Sequence, residues 1–485
     1  MSFVPLTDAE RLPIVIGALT TMMLAALDQT IVAPVLPTLA QELGHADWIS
    51  WVVSAYLLTS TSVTPLYGKL ADLEGRRPTL YIAIALFVVG SIACALAPSM
   101  AVLILGRALQ GLGGGGLIAL VQTIIGDVVP PIERGRYMVY ISAVWATASV
   151  SGPLLGGLFA EHLHWSLIFW INLPIAAIAV IVIRRSMRRL PDVTRPARLD
   201  LTGSGLIVTA TVSLMLALTW GGAGTPWGSP EILGLFAASV LLFVGFARHI
   251  GRTEEALIPV PILTHPVISV TVAAMFFATG AHLGLSVFVP MWFSRVQGFG
   301  PAHAGLGLMS LSFGTMLGAN IAGRAMRKVR HYRRFAQVGV AVGAVATAAL
   351  ALGAGWWSFW PSEVLLLVTG AGTGSLFPIG MVAVQNAVER RDLGVATGTL
   401  SFVRTLGAVV AIAVFGAVFA ALRDGGAGGA AAGVGFDPAA AARAAPAFAG
   451  VFAGAAVFQL LAILILFRLE ERPLRDRSDE ASAAD

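Results

Sequence analysis

Long apolar runs, separated by short clusters of arginine, glycine and proline, follow one another along the whole chain. An α-helix needs about 20 apolar residues to cross the roughly 30 Å hydrocarbon core of a bilayer. Such runs lie near 12 to 36, 49 to 70, 79 to 97, 101 to 124, 137 to 160 and 165 to 184. Six more lie near 267 to 291, 302 to 324, 335 to 353, 361 to 385, 397 to 421 and 447 to 468. Two further runs, near 201 to 219 and 231 to 247, sit between the sets, so the pattern predicts an all-α polytopic membrane protein of fourteen spans.

Composition agrees and removes alternatives. Of 485 residues only 12% are charged and 57% are apolar, against about 25% charged in a soluble protein. A surface with so little charge excludes an ordinary soluble enzyme. The net charge of +5 does not indicate nucleic acid, because the arginines fall in loops between apolar runs instead of forming one soluble patch. The only lysines, Lys69 and Lys328, are followed by Leu70 and Val329. Neither closes a phosphate-cradling G-x-x-x-x-G-K-[ST] loop, so no ATP site of that kind exists and uphill work must draw on an ion gradient or a partner subunit. A single cysteine, Cys94, excludes internal disulfides and thiolate metal clusters.

The arginines also orient the chain, since short cytoplasmic loops retain Lys and Arg. One set of alternate loops holds Lys69, Arg76, Arg77, Arg134, Arg136, Arg184, Arg185, Arg188, Arg189, Arg195, Arg198, the 324 to 334 cluster, Arg390, Arg391 and the tail. The other set holds Arg295, Arg423 and Arg443. Both termini are therefore expected in the cytoplasm. The plan is a cytoplasmic segment 1–11, a six-helix bundle 12–186, a basic linker with two additional helices 187–266, a second six-helix bundle 267–468 and a tail 469–485. Residues 422–446, rich in Gly and Ala, are expected to be a flexible outer loop, and the charged tail to be disordered. The N-terminus, with Asp8, Glu10 and Arg11, lacks the pattern of a removable signal. Gly68-Lys69 has an echo in Gly323-Arg324, a weak internal repeat of the two halves.

Between spans 2 and 3, Gly68-Lys-Leu-Ala-Asp72-Leu-Glu-Gly75-Arg76-Arg77 resembles the signature loop of the major facilitator superfamily. Leu27-Asp28-Gln29-Thr30-Ile31-Val32, ending in Leu36-Pro37, is similar to the span-1 motif of its fourteen-span drug:proton antiporters. Arg107-Ala-Leu-Gln110-Gly111 resembles their span-4 arginine motif, and Ser151-Gly152-Pro153-Leu-Leu-Gly156-Gly157 the antiporter motif of span 5. Gln385-Asn386-Ala387, followed by Gly394, Ala396, Thr397, Gly398 and Arg404, resembles the same group. Two positions depart from it: Ala33 replaces a frequent asparagine, and Trp165-Ser166-Leu167 replaces a frequent Trp-Arg-Trp. The resemblance implies two six-helix halves plus two central helices and a proton-coupled multidrug exporter. It also implies that spans 1 and 4 line one cavity.

Charges inside spans are costly and mark function by default. At 1.5 Å per residue, Asp28 lies about 24 Å from the inner edge of span 1, and Arg107 about 21 Å from the inner edge of span 4. Burial and a neighbouring arginine act in opposite senses on a carboxyl's hold on its proton. A motion that alters either can load a proton on one side and release it on the other, with Asp28 as carrier and Arg107 as fixed partner. A static ion pair between two helices is the alternative. Gln110, Arg404, Glu161, Glu231, Glu363 and His282 are secondary candidates, each of which could equally serve helix packing. Asp127 and Glu363 sit near span ends. Gly111-Leu-Gly113-Gly-Gly-Gly116 formally satisfies G-x-G-x-x-G, but it lies mid-span without a preceding strand, so it reads as a smooth face for helix packing. Pro153 offers a bend among glycines, which would seal the cavity, pivot the halves or simply pack.

One proton entering down about 150 mV supplies about 3.5 kcal/mol, enough for roughly a 300-fold gradient of a neutral substrate. The expected substrate is a small lipophilic or amphipathic compound, and a dedicated lipid, siderophore or antibiotic metabolite is the nearest rival. No cofactor, nucleic acid or ATP is expected. A passive channel would show a repeated filter or charge ring, and an intramembrane enzyme a motif such as G-x-S-x-G or H-E-x-x-H; neither occurs. The expected setting is a monomer in a bacterial cytoplasmic membrane.

Overall fold

The computed structural model describes residues 8–44, 48–186, 199–222, 225–299, 301–326, 332–422 and 438–471. The first half comprises α1 (Asp8–Ile31), α2 (Leu36–Leu43), α3 (Ile49–Glu74), α4 (Arg76–Ala95), α5 (Met100–Val128), α6 (Pro131–His162), α7 (Leu167–Trp170) and α8 (Asn172–Ser186). Next come α9 (Leu201–Gly222), α10 (Pro230–Ile250) and α11 (Val260–Thr264). The second half comprises α12 (Pro266–Arg295), α13 (Pro301–Ala325), α14 (Tyr332–Leu352), α15 (Phe359–Asn386), α16 (Leu393–Leu422) and α17 (Pro438–Leu466). There is no strand among the described residues.

A helix occupies every one of the predicted runs. Among the described residues, twelve segments are both long and apolar enough to cross a membrane, against the fourteen expected. The other two predicted runs are occupied by α3 and α13, of 26 and 25 residues. Thr59-Ser60-Thr61-Ser62 interrupts α3, and α13 is rich in glycine and serine. A correction concerns the predicted loop 422–446: α17 already begins at Pro438, in an alanine-rich stretch with high helix propensity. The expectations for Arg188, Arg189, Arg195, Arg198, Lys328, Arg423, residues 1–7, residues 423–437 and the tail beyond Glu471 lie outside the described residues.

Local chemistry sets the breaks. Gly75, between α3 and α4, has φ +94°, a conformation that a side chain resists. The Ser99 and Ser229 hydroxyls accept the Val102 and Ile232 amides to cap α5 and α10. Asp200 caps α9 by accepting the Gly203 amide at 2.8 Å, and it also binds His249 Nε2 of α10 at 2.8 Å and accepts the Leu257 amide at 3.2 Å. One buried carboxylate thus ties both additional helices to the segment that leads back to the second half.

Burial tends to raise the Asp200 pKa, but these donors outweigh it and hold the carboxyl below its ordinary value. Stability from a depressed carboxyl is present above the unfolded value and is lost as pH falls through the folded one, so this clasp weakens below about pH 4. Asp200→Ala is expected to cost about 1–2 kcal/mol through the lost cap. Thermal unfolding in detergent should show this as a lower midpoint at neutral pH.

Packing divides the molecule unequally along its length. Near the end where α1 begins, one buried apolar cluster runs without interruption from Ile14, Phe87 and Ile124 of the first half to Met275, Ile379 and Leu400 of the second. At the opposite end the halves have separate clusters. Ile31, Val52, Trp165 and Phe169 form one, and Trp292, Phe293, Phe415 and Phe452 the other. The halves are therefore fused at one end and parted at the other. Across the molecule α3 and α5 pack on α16, and α6 on α13, while α9 lies against both α3 and α16 with α10 beside it. Leu105 (70%), Leu154 (69%), Leu241 (71%) and Val345 (71%) are exposed, an outer surface suited to lipid.

Candidate functional site

Asp28 of α1 and Arg107 of α5, both fully buried, meet as the counted depths allow: Arg107 Nη1 donates to Asp28 Oδ2 at 2.7 Å. The other carboxylate oxygen accepts Gln110 Nε2 at 2.8 Å and Asn172 Nδ2 at 3.0 Å. Arg107 further donates to Gln110 Oε1 at 2.6 Å and, through Nε, to the Val52 carbonyl at 3.0 Å. Its guanidinium carbon stands 4.4 Å from the centre of the Tyr56 ring, a cation–π contact. The Ser91 hydroxyl of α4 accepts from both amides, at 2.8 Å from Gln110 and 3.2 Å from Asn172. Five helices of the first half, α1, α3, α4, α5 and α8, thus converge on one carboxylate. The pair is neutral overall, and a proton added to Asp28 would convert it to a net cation in a poorly screened interior.

Asn172, Ser91 and Tyr56 were not among the sequence candidates. Asn172 did carry a signal, being one of three asparagines in the chain and lying inside an apolar run.

The antiporter motif of α6 lies against α1 within one turn of Asp28. The Thr30 hydroxyl donates to the Ala148 carbonyl at 2.8 Å. A Cβ added at Gly152 would collide with Thr30 Oγ1, and one at Gly156 with the Ile31 carbonyl. These two glycines permit the contact. Gly157 does not share in it, for a Cβ there meets nothing within 4 Å, and Pro153 is exposed on another face of α6.

At the fused end the signature loop forms a latch between the halves. Asp72 accepts the amides of Gly394 and Val395, at the start of α16, at 3.0 and 2.8 Å. Arg76 donates to Asp72 at 2.6 Å and to Asp127 of α5 at 2.7 Å, so the predicted interfacial Asp127 is part of the latch. Arg77 stacks over Tyr81, 5.7 Å from the ring centre. A Cβ at Gly68 would sit 2.5 Å from the Gly394 carbonyl. Deeper in, Gln385 of α15 donates to the Gln122 carbonyl at 3.0 Å, and Ser401 of α16 to Gln122 Oε1 at 3.2 Å.

The remaining candidates lie apart from the Asp28 network. Glu161 and Glu231 are exposed at helix ends. Glu363 is buried near the start of α15, past its first turn, where one oxygen accepts the Ser310 hydroxyl and the other has no partner. His282 lies 3.4 Å from the Thr315 hydroxyl and edge-on to Phe377. Arg404 makes no hydrogen bond or ion pair among the described residues. Those residues also contain no grouping of His, Cys, Asp and Glu able to hold a metal.

Residues 18–412 match the Major Facilitator Superfamily. The chain belongs to that superfamily. An uncharacterized MFS-type transporter of Mycobacterium tuberculosis is 36% identical over 423 residues, which are 87% of this chain but 61% of that relative. The chain therefore spans about three fifths of that protein. The multidrug transporter protein MdtP of Bacillus subtilis is 31% identical over 413 residues, 85% of this chain and 76% of its own length. In three dimensions, the structure of the MFS proton:xylose symporter XylE matches with a TM-score of 0.67 at 13% identity, covering 99% of this chain and 100% of that one. That likeness shows the fold alone. The chain is thus a multi-helix member of the superfamily, and its relatives include proteins named for multidrug transport.

Proposed function

We propose that this chain is a proton-coupled antiporter that exports lipophilic or amphipathic compounds by alternating access, with Asp28 as the proton carrier and Arg107 as its fixed partner. The observation that carries the reading is a fully buried carboxylate held by Arg107, Gln110 and Asn172. These donors solvate the charged form within the protein, as a buried proton site requires, and the pair joins the helices that must move relative to one another. In this reading α3 and α13 complete fourteen spans, both termini lie in the cytoplasm, and segments 12–186 and 267–468 are the halves around an inserted 187–266. The chain works as a monomer in a bacterial cytoplasmic membrane, driven by the proton gradient without a bound cofactor.

The fused end is then the cytoplasmic one, and a proton would reach the buried Asp28 from the outer end, where the two halves have separate apolar clusters. Protonation there cancels the carboxylate's attraction for Arg107. Arg107 also holds α3, through Val52 and Tyr56. The same helix carries Gly68 and Asp72 of the latch, about 18 to 30 Å away at 1.5 Å per residue. A change at the proton site therefore reaches the seal through one rigid element, while Thr30 couples α1 to α6. Opening the latch exposes Asp28 to the cytoplasm, where the proton leaves and substrate enters.

The test is ethidium efflux from proteoliposomes that enclose a pH-sensitive dye. An imposed proton gradient should accelerate efflux on the order of tenfold, a change of about 1.4 kcal/mol. Proton movement against the dye should accompany it, and a protonophore should abolish both. Equal flux with and without the gradient would overturn the coupling.

A further inference from the structure

Among the described residues, Arg404 has no counter-charge. Successive residues of α16 advance about 100° around the helix. Thr397 and Ser401 face Gln385 of α15 and Gln122 of α5. Gly407 and Ala411 face α12, where a Cβ on Gly280 would meet both. Arg404 falls between these two lines, so it points into the interior bounded by α5, α12 and α15 and away from lipid. It remains partly exposed there, and no hydrogen bond or ion pair reaches it among the described residues.

A second group without a partner faces the same region. Thr279 of α12 is 5% exposed and its hydroxyl has no hydrogen-bond partner. It shares a helix face with Met275 and His282, which lie against Gly380 and Phe377 of α15. The Asp28 carboxylate cannot serve as counter-ion in this conformation, because both of its oxygens are already engaged within the first half.

An unpaired cation inside a membrane protein is costly unless an anion joins it. We propose that Arg404 is an anion subsite, and that amphipathic organic anions with an apolar body and one carboxylate or sulfonate are a preferred class among the lipophilic substrates. The Thr279 hydroxyl would donate to the same headgroup, and Phe377 would lie against the apolar body. For export this rests on the antiporter reading; for binding it does not. An anion leaving as a proton enters moves two charges inward per cycle, where a monovalent cation would move none. Transport of the preferred class is therefore driven by membrane voltage as well as by the pH difference.

The experiment compares dansylglycine with its neutral amide, dansylglycinamide, by equilibrium binding to the full chain in detergent. Wild type should bind the carboxylate at least about tenfold more tightly than the amide, and Arg404→Gln should bring the two within about twofold, as a charge-assisted hydrogen bond is lost. The variant should keep the affinity for the amide, and Arg404→Lys should retain part of the preference. A merely structural arginine would alter both ligands alike. No preference in wild type, no binding of either compound, a preference that survives Arg404→Gln, or equal loss of both ligands in the variants would overturn the subsite. Flux that ignores the pH gradient, with the Arg404-dependent preference intact, would overturn proton antiport and leave the subsite standing.

Discussion

Asp28→Asn is expected to lower gradient-driven efflux about 100-fold or more, equivalent to about 2.7 kcal/mol, while substrate binding stays within a few-fold. Asparagine keeps the shape and can still accept from Gln110 and Asn172, but it neither carries a proton nor neutralises Arg107. The variant therefore leaves a guanidinium buried without its counter-charge, a situation that costs about 3–5 kcal/mol of stability. Arg107→Gln should be destabilised for the mirror reason. The double variant should recover on the order of 2 kcal/mol relative to the sum of the two single changes, with no recovery of transport. Thermal unfolding and proteoliposome efflux on the four proteins separate the structural role of the pair from its coupling role. Full gradient-driven efflux in Asp28→Asn would move the proton site to Glu363, the buried carboxylate with one unpartnered oxygen.

Gly68→Leu is expected to abolish turnover by a different route. A Cβ at Gly68 already comes within 2.5 Å of the Gly394 carbonyl, and backbone cannot give way as the end of a side chain can. The leucine would hold α3 and α16 apart, so Asp72 would lose the Gly394 and Val395 amides. Transport should fall at least about tenfold, or about 1.4 kcal/mol, with the Asp28 network untouched. Maleimide labelling of a cysteine placed near Gln122 should become faster from the side of the signature loop. Unchanged labelling together with normal transport would show that the latch tolerates separation.

The helices and their order were legible because apolar runs of membrane length leave few alternatives. Even α3, with Thr59-Ser60-Thr61-Ser62 in its middle, was legible by length as a run near 49 to 70. Alanine misled, since 438–446 reads as a loop by composition and is helix. Counting along two helices gave Asp28 and Arg107 similar depths, and the family resemblance placed their helices on one cavity, but their direct contact is known only from the packing. The rest of their surroundings was not legible, because Asn172 reaches Asp28 from 144 positions away and Ser91 joins from a different helix. Likewise the order Gly, Asp, Gly, Arg, Arg marked the signature loop, but its acceptance of two amides from α16 depends on three-dimensional packing.

The position of α9 makes the two junctions between the halves unlike. On one side α3 and α16 meet behind α9, which stands between that junction and the surrounding lipid. On the other side α6 meets α13 with no added helix, and Leu154, Leu158, Met309 and Phe313 are outward-facing there. A hydrophobic molecule diffusing in the bilayer thus encounters one shuttered flank and one bare flank, and the protein, for all its near-repeated halves, has a single side from which the membrane can touch the moving boundary directly.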